Sequence, residues 1–314
     1  MGNQSIKYLI MLISLIICSI GCIDDSTGGE PEVGENSSSV LDIISEDQDL
    51  ILLNEAIEIL ELENRLNQDE PFTLFAPDNK AIQAYLTSNG YVVLADADKE
   101  DLRGRLLYHM TTGVIRGDDF STGYVESWNQ DSPNDSYVSM FIESSDTVRI
   151  NNRPILSISN IEADNGIIQV VTEILDIPSV EDIINDNEDL STFRLALERL
   201  DLYDALSQIE AFTLFAPNNQ AFDRFLEVLA VQRLEDVTDE ALREVLLYHF
   251  VNTNIRISEF TSGKLPTLNT DKDIDVEISD EIRINNHVTL LKTDIQSTNG
   301  VVHIIDEVLL PTSN

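Results

Sequence analysis

The chain has 314 residues, in which 57 Asp and Glu stand against 19 Lys and Arg for a formal charge of -38. Nucleic-acid affinity rests on cationic contacts to phosphate, so this balance excludes nucleic acid as a partner and fits the solvated, self-repelling surface of an exported protein. The only cysteines, Cys18 and Cys22, fall near the N-terminus, so no disulfide framework is available to the body of the chain.

Met1 to Gly21 carries one cation, Lys7, followed by an apolar run from Tyr8 to Cys18. That run is short for a bilayer span and fits the core of a signal peptide, assigned to residues 1-21. Residues 22-37 follow as an acidic, flexible tether that opens Cys22-Ile23-Asp24-Asp25-Ser26. Ser19-Ile20-Gly21-Cys22 resembles the lipobox of bacterial lipoproteins, with Ser19 where Leu is usual. The resemblance implies a lipidated Cys22 at the mature N-terminus and a chain anchored by acyl groups to the cell envelope, at the outer membrane and facing outward.

The body is a tandem repeat. Phe72-Thr73-Leu74-Phe75-Ala76-Pro77 returns as Phe212-Thr213-Leu214-Phe215-Ala216-Pro217, 140 positions later, and Glu70 to Tyr85 shares nine of sixteen residues with Glu210 to Phe225. One unit is therefore used twice, at residues 38-178 and 179-314. Each opens with a capping-box signature, Ser39 with Asp42 and Ser179 with Asp182. A second helix follows, with Leu53, Ala56, Ile57 and Leu60, or Phe193, Ala196, Leu197 and Leu200, spaced as one buried stripe. The FTLFAP motif reads as a strand ended by proline, and Asp78 or Asn218 as the N-cap of the next helix.

Leu106-Leu107-Tyr108-His109 and Leu246-Leu247-Tyr248-His249 close a further helix, with a stop expected at Thr112-Gly113. Beyond it the pattern turns strand-like, through Val148, Ile150 and Ile158 or Ile274, Val276 and Ile284. The repeat offset drops from 140 to 134 between Gly123 and Arg149, which places a six-residue length change in the polar Asn129 to Ser136 segment. Asn165-Gly166 and Asn299-Gly300 then predict hairpin turns into a last strand. Helices first and strands last make each unit α+β. The connector at Ile177-Pro178 is short enough to predict a fixed pair.

These blocks resemble fasciclin domains. Thr73 to Ile82 and Thr213 to Phe222 match the family's first signature, Tyr108-His109 and Tyr248-His249 its central pair, and Asn299 to Asp306 its terminal one. The first unit departs at Gln169 and Thr172, where the second has His303 and Asp306. The resemblance implies two domains, each an antiparallel β wedge with a helical cap, and a general role in adhesion. In animal relatives the Tyr-His pair and an Asp-Ile near the last turn are linked to integrin binding. Tyr108, His109, Tyr248, His249, Asp294 and Ile295 thereby become candidate interaction residues, although for His109 and His249 an internal scaffolding role is the stronger expectation.

Neither a Gly-x-Ser-x-Gly elbow, a phosphate-binding loop nor a His-Glu-x-x-His run occurs, and no calcium-loop pattern is present. The expectation is a non-enzymatic envelope lipoprotein, without metal or cofactor, that binds a surface or matrix protein or a polysaccharide. The alternative is a small-molecule-binding lipoprotein with a cleft in or between its domains.

Overall fold

The computed structural model describes residues 38–311, apart from Asp146, Pro154, Ile155, Ser207, Gln208 and Asp271. The expected signal peptide, the tether and Cys22 lie outside the described residues. The first repeat runs α1 (Val40–Glu46), α2 (Ile51–Ile59), α3 (Glu63–Leu66), β1 (Phe72–Pro77), α4 (Asn79–Ser88), α5 (Lys99–Tyr108), β2 (Met110–Thr112), β3 (Gly123–Glu126), β4 (Ser139–Ser144), β5 (Val148–Ile150), β6 (Leu156–Ala163) and β7 (Gly166–Val171). The second repeats that order as α6 (Val180–Asp186), α7 (Ser191–Arg199), α8 (Tyr203–Leu206), β8 (Phe212–Pro217), α9 (Asn219–Val228), α10 (Asp239–Tyr248), β9 (Phe250–Val251), β10 (Gly263–Pro266), β11 (Asp273–Ile278), β12 (Ile282–Ile284), β13 (Val288–Gln296) and β14 (Gly300–Ile305). Each repeat is α+β, as its sequence pattern requires.

Every residue of β1 and of β8 is buried, which is why FTLFAP shows no polar alternation. Phe72, Leu74 and Ala76 face a helical core containing Leu53, Ala56, Ile57 and Leu106, whereas Phe75 points the other way, into a smaller core with Tyr108, Met140 and Ile150. The period-two strand thus divides two cores. Phe212, Leu214 and Ala216 against Phe215 do the same in the second repeat.

The pairing of this strand corrects the expectation of an antiparallel wedge. β1 runs parallel to β7, Phe72 opposite Gly166 through Pro77 opposite Val171, and β8 runs parallel to β14 in the same register. The remaining strand pairs are antiparallel, including the β6–β7 and β13–β14 hairpins expected at the Asn-Gly turns. Among the described residues the first repeat has sheets in the orders β2-β1-β7-β6 and β3-β4-β5, and the second one sheet, β10-β11-β12-β13-β14-β8-β9.

Both capping boxes form, Ser39 with Asp42 and Ser179 with Asp182. Asp78 and Asn218 accept from the amides of Ala81 and Ala221 at 2.7 and 2.9 Å. The asparagine after each cap has a second duty. Asn79 accepts from Leu52 N and donates to the Gln48 carbonyl, and Asn219 does so with Thr192 and Glu188, tying the second helix to the helix after the strand. The stop expected at Thr112-Gly113 comes earlier: α5 ends at Tyr108, and β2 intervenes before Gly113, whose φ is +88°.

The two repeats touch directly. Asn187 Nδ2 donates to the Tyr124 hydroxyl at 3.1 Å, Gln296 N donates to Ser139 Oγ at 3.0 Å, and the Tyr124 ring packs against the second helical core.

The Asn-Gly turns contain glycine for a reason other than a left-handed backbone. A Cβ on Gly166 would lie 2.4 Å from the Phe72 carbonyl oxygen, and one on Gly300 2.6 Å from that of Phe212, so the parallel strands approach too closely for a side chain. Gly300→Ala is accordingly expected to cost about 1–3 kcal/mol in urea unfolding. An unchanged midpoint would contradict this close approach.

Candidate functional site

Tyr108-His109 and Tyr248-His249 sit where a helix from the cap runs into the central strands. His109 is 0% exposed and caps α5, and its backbone carbonyl accepts from Phe75 N of β1 at 2.8 Å. Leu175 N donates to the imidazole Nε2 at 3.0 Å. Since an amide can only donate, Nε2 is the acceptor, and the ring proton lies on Nδ1, which donates to the Arg105 carbonyl at 2.7 Å. His249 repeats every contact, with Leu309 N at 2.9 Å and the Val245 carbonyl at 2.8 Å. Each neutral imidazole therefore bolts a helix end to the segment that leaves the last strand.

The adjacent tyrosines work on the second core. Tyr108 donates to the Ser139 carbonyl at 3.0 Å and accepts from Asn151 Nδ2 at 2.9 Å. Tyr248 donates to the Asp273 carbonyl and accepts from Asn285 Nδ2, at 2.8 and 3.2 Å. Asn151 and Asn285 both hold a left-handed backbone, φ +49°, and cap the neighbouring strand through Phe141 N and Asp275 N. In the sequence the two asparagines recur after Ile150 and Ile284 at the reduced offset of 134, a signal of this shared role.

Asp294 lies at a bulge in β13 with φ +59° and accepts from Ile257 N at 2.7 Å. Asn160 stands at the same place in the first repeat, φ +43°, and accepts from Gly117 N at 2.8 Å, so the negative charge is not what this position needs. Ile295 is buried in the second helical core.

Behind Asp294, His303 accepts from Asp294 N through Nδ1 at 3.2 Å and donates to the Ile255 carbonyl through Nε2 at 3.0 Å. Gln169 makes the corresponding pair: its Oε1 accepts from Asn160 N at 3.2 Å, and its Nε2 donates to the Ile115 carbonyl at 3.1 Å. What reads as a departure in the terminal signature is a replacement of one donor-acceptor pair by another.

Five of the six candidate residues, Tyr108, His109, Tyr248, His249 and Ile295, are thus interior, and Asp294 is half-buried. A partner could touch the five only by opening the fold. Among the described residues no group of three or more His, Cys, Asp or Glu is placed to hold a metal ion.

The fasciclin domain model matches residues 49–178 and again 188–311. The chain belongs to the fasciclin-domain family. It is 32% identical to human periostin over 259 residues, covering 77% of this chain and 28% of periostin, so it spans little more than a quarter of that relative. It is 31% identical to protein sll1483 of Synechocystis over 134 residues, 42% of this chain and 73% of that one. A solved FAS1 domain pair from the insect cell adhesion molecule fasciclin I shares the fold at a TM-score of 0.52 and 18% identity, over 82% of this chain and 95% of its own.

Burial holds the His109 and His249 imidazoles at about 4, below the ordinary 6.5, and also lowers His303. The unfolded chain takes up protons below 6.5 while the folded fasciclin repeats keep these rings neutral to about 4. Stability from this source is complete above 6.5 and is lost as pH falls from 6.5 toward 4, by about 3 kcal/mol for each of His109 and His249. His303→Gln, which copies Gln169, should stay within about 1 kcal/mol of the parent at pH 7.5 and lose less stability by pH 4.5. His249→Ala, which strands Leu309 N and the Val245 carbonyl, should cost about 2–5 kcal/mol. Urea titrations at the two pH values check both; identical pH profiles for His303→Gln and the parent would contradict the neutral assignment.

Proposed function

We propose that this fasciclin-domain protein is a non-enzymatic interaction lipoprotein, held to the bacterial envelope through Cys22 and displayed outward, that binds a surface or matrix protein or a polysaccharide through its exposed surface. The observation that carries this reading is the commitment of the buried imidazoles: both ring nitrogens of His109 and of His249 are occupied by backbone groups. The residues that look most chemical in the sequence therefore work as internal fasteners, and recognition is left to the outer surface. The adhesive character of the fasciclin I molecule, whose domain pair shares this fold, supports the same reading.

Of the alternative, a small-molecule ligand held in a cleft in or between the domains, the between-domain form finds less support. The cleft lined from both repeats, by Asn151, Arg153 and Leu175 on one side and Asp182 and Asp186 on the other, encloses about 60 Å³. Ligand sites run to several hundred Å³.

Two measurements test the proposal. Mass spectrometry of the mature protein should find residue 22 at the N-terminus carrying acyl chains, and Cys22→Ala should release the protein from the envelope fraction. Cells displaying the wild-type protein should adhere to a matrix-coated surface more than cells displaying none, with the double substitution His109→Gln and His249→Gln reducing adhesion only as far as it reduces folded protein. An unmodified terminus elsewhere contradicts the anchor. Equal adhesion with and without the protein contradicts the interaction.

A further inference from the structure

The first repeat carries a cleft of about 420 Å³ that its twin does not furnish in the same way, between the segment after α3 and the strands β2 and β3. Arg65, Gln68, Glu70, Glu126, Trp128 and Tyr137 supply its chemistry. Trp128 packs against Phe72 as a tilted ring pair, centroids 4.9 Å apart, and its indole N–H donates to Thr112 Oγ1 at 3.0 Å. The guanidinium of Arg65 lies over the same indole, 5.1 Å from its centre. Arg65 Nε is buried with no hydrogen-bond partner, and no carboxylate among the described residues lies within ion-pair distance of this guanidinium. In a chain with three acids for every base, a guanidinium left unpaired beside two glutamates is held for something other than a salt bridge.

The second repeat acts as an internal control. Trp128 N donates to the Met110 carbonyl at 2.9 Å and Leu268 N to the Phe250 carbonyl at 2.8 Å, so Trp128 and Leu268 occupy the same place in the fold. Ala205 stands at the position of Arg65. Ten residues separate Trp128 from Ser139, and four separate Leu268 from the equivalent Asp273. The longer loop brings Tyr137, 37% exposed, to the rim. It is preformed, through bonds from Asn129 Nδ2 to the Gly104 carbonyl, Asp131 N to Asn129 Oδ1 and Ser132 Oγ to the Ser136 carbonyl. The second repeat thus builds the same scaffold with alanine, leucine and a shorter loop at these three places, while Trp128 is itself buried in the helical core of the first.

We propose that this cleft binds uncharged sugar residues of a polysaccharide or glycan. The inference rests on the interaction reading above and names a site and a ligand class for it. Two carboxylates against one guanidinium, on a chain of charge -38, repel sulfated, phosphorylated or uronic ligands. A cationic peptide meets Arg65 where it would seek the indole face. A neutral pyranose suits the walls. Its hydroxyls donate to Glu70 and Glu126 and accept from Arg65, Gln68 and Thr112, while its C–H face rests on the Tyr137 ring.

Trp128 is the only tryptophan in the chain, so its emission reports on this cleft alone. The test titrates the full-length protein with cellohexaose, maltohexaose and chitohexaose, with polygalacturonate and oligolysine as charged comparisons. At least one neutral oligosaccharide should change Trp128 emission saturably, and Arg65→Ala and Tyr137→Ala should each weaken it roughly tenfold or more while urea unfolding stays at the wild-type midpoint. No response to any neutral probe, a response only to polygalacturonate or only to oligolysine, or undiminished binding by both variants overturns the proposal. The same variants in the adhesion assay separate the two claims. Normal adhesion by variants, with no neutral probe bound by the parent, sinks the cleft and spares the interaction reading; absent adhesion by the parent, with saturable sugar binding, does the reverse.

Discussion

Each repeat depends on the parallel pairing of its FTLFAP strand with its last strand. Phe72 meets Gly166 across a separation in which most of the repeat is threaded, and Phe212 meets Gly300 in the same way. A parallel neighbour demands a long crossover, and here the crossover carries two helices and the outer strands. Because the pair is covered on both faces, one strand serves as the floor of the helical core and the roof of the smaller core behind it. The glycine at its start lets the backbones close, and the asparagine before it, Asn165 or Asn299, accepts from the first amide of α1 or α6. The first helix, the central strand and the last strand of a repeat are thereby fastened at one corner.

The histidines fasten the opposite end. A neutral imidazole offers one donor and one acceptor on different edges of its ring, and burial among backbone groups uses both. His109 and His249 spend them on a helix carbonyl and on an amide beyond the last strand. His303 spends them on the β13 bulge and on the Ile255 carbonyl, and Gln169 does the same with a side-chain amide. Such pairs are retained for their geometry. That explains how the most distinctive residues of the sequence can be buried in the interior.

Much of this architecture was legible in the residues. The duplication, the capping boxes, the Leu53 and Phe193 stripes and the α+β order follow from spacing alone, because a 3.6-residue stripe or a serine three before an aspartate has one economical folded use. The parallel pair was not legible: a strand buried on both faces shows only a short apolar run, and such a run does not say in which direction its neighbour points. Asn-Gly marked the hairpins correctly while concealing that the glycine answers a carbonyl of another strand. Gln169 differs from His303 in identity but not in hydrogen-bonding capacity, and a sequence displays only the identity. The Arg65–Trp128 cleft was not legible because its members come from four separated segments, one of them a loop that is shorter in the second repeat.

The central claim is that buried neutral imidazoles lock the end of each repeat to its helix. Hydrogen exchange at single amides tests it most directly, at Leu175 and Leu309, which lie outside regular strands and whose N–H groups point at His109 Nε2 and His249 Nε2. Near neutral pH both amides should exchange as slowly as those of the central strands, opening only with the global unfolding of the repeat. Exchange at the rate of the exposed loops would contradict the account.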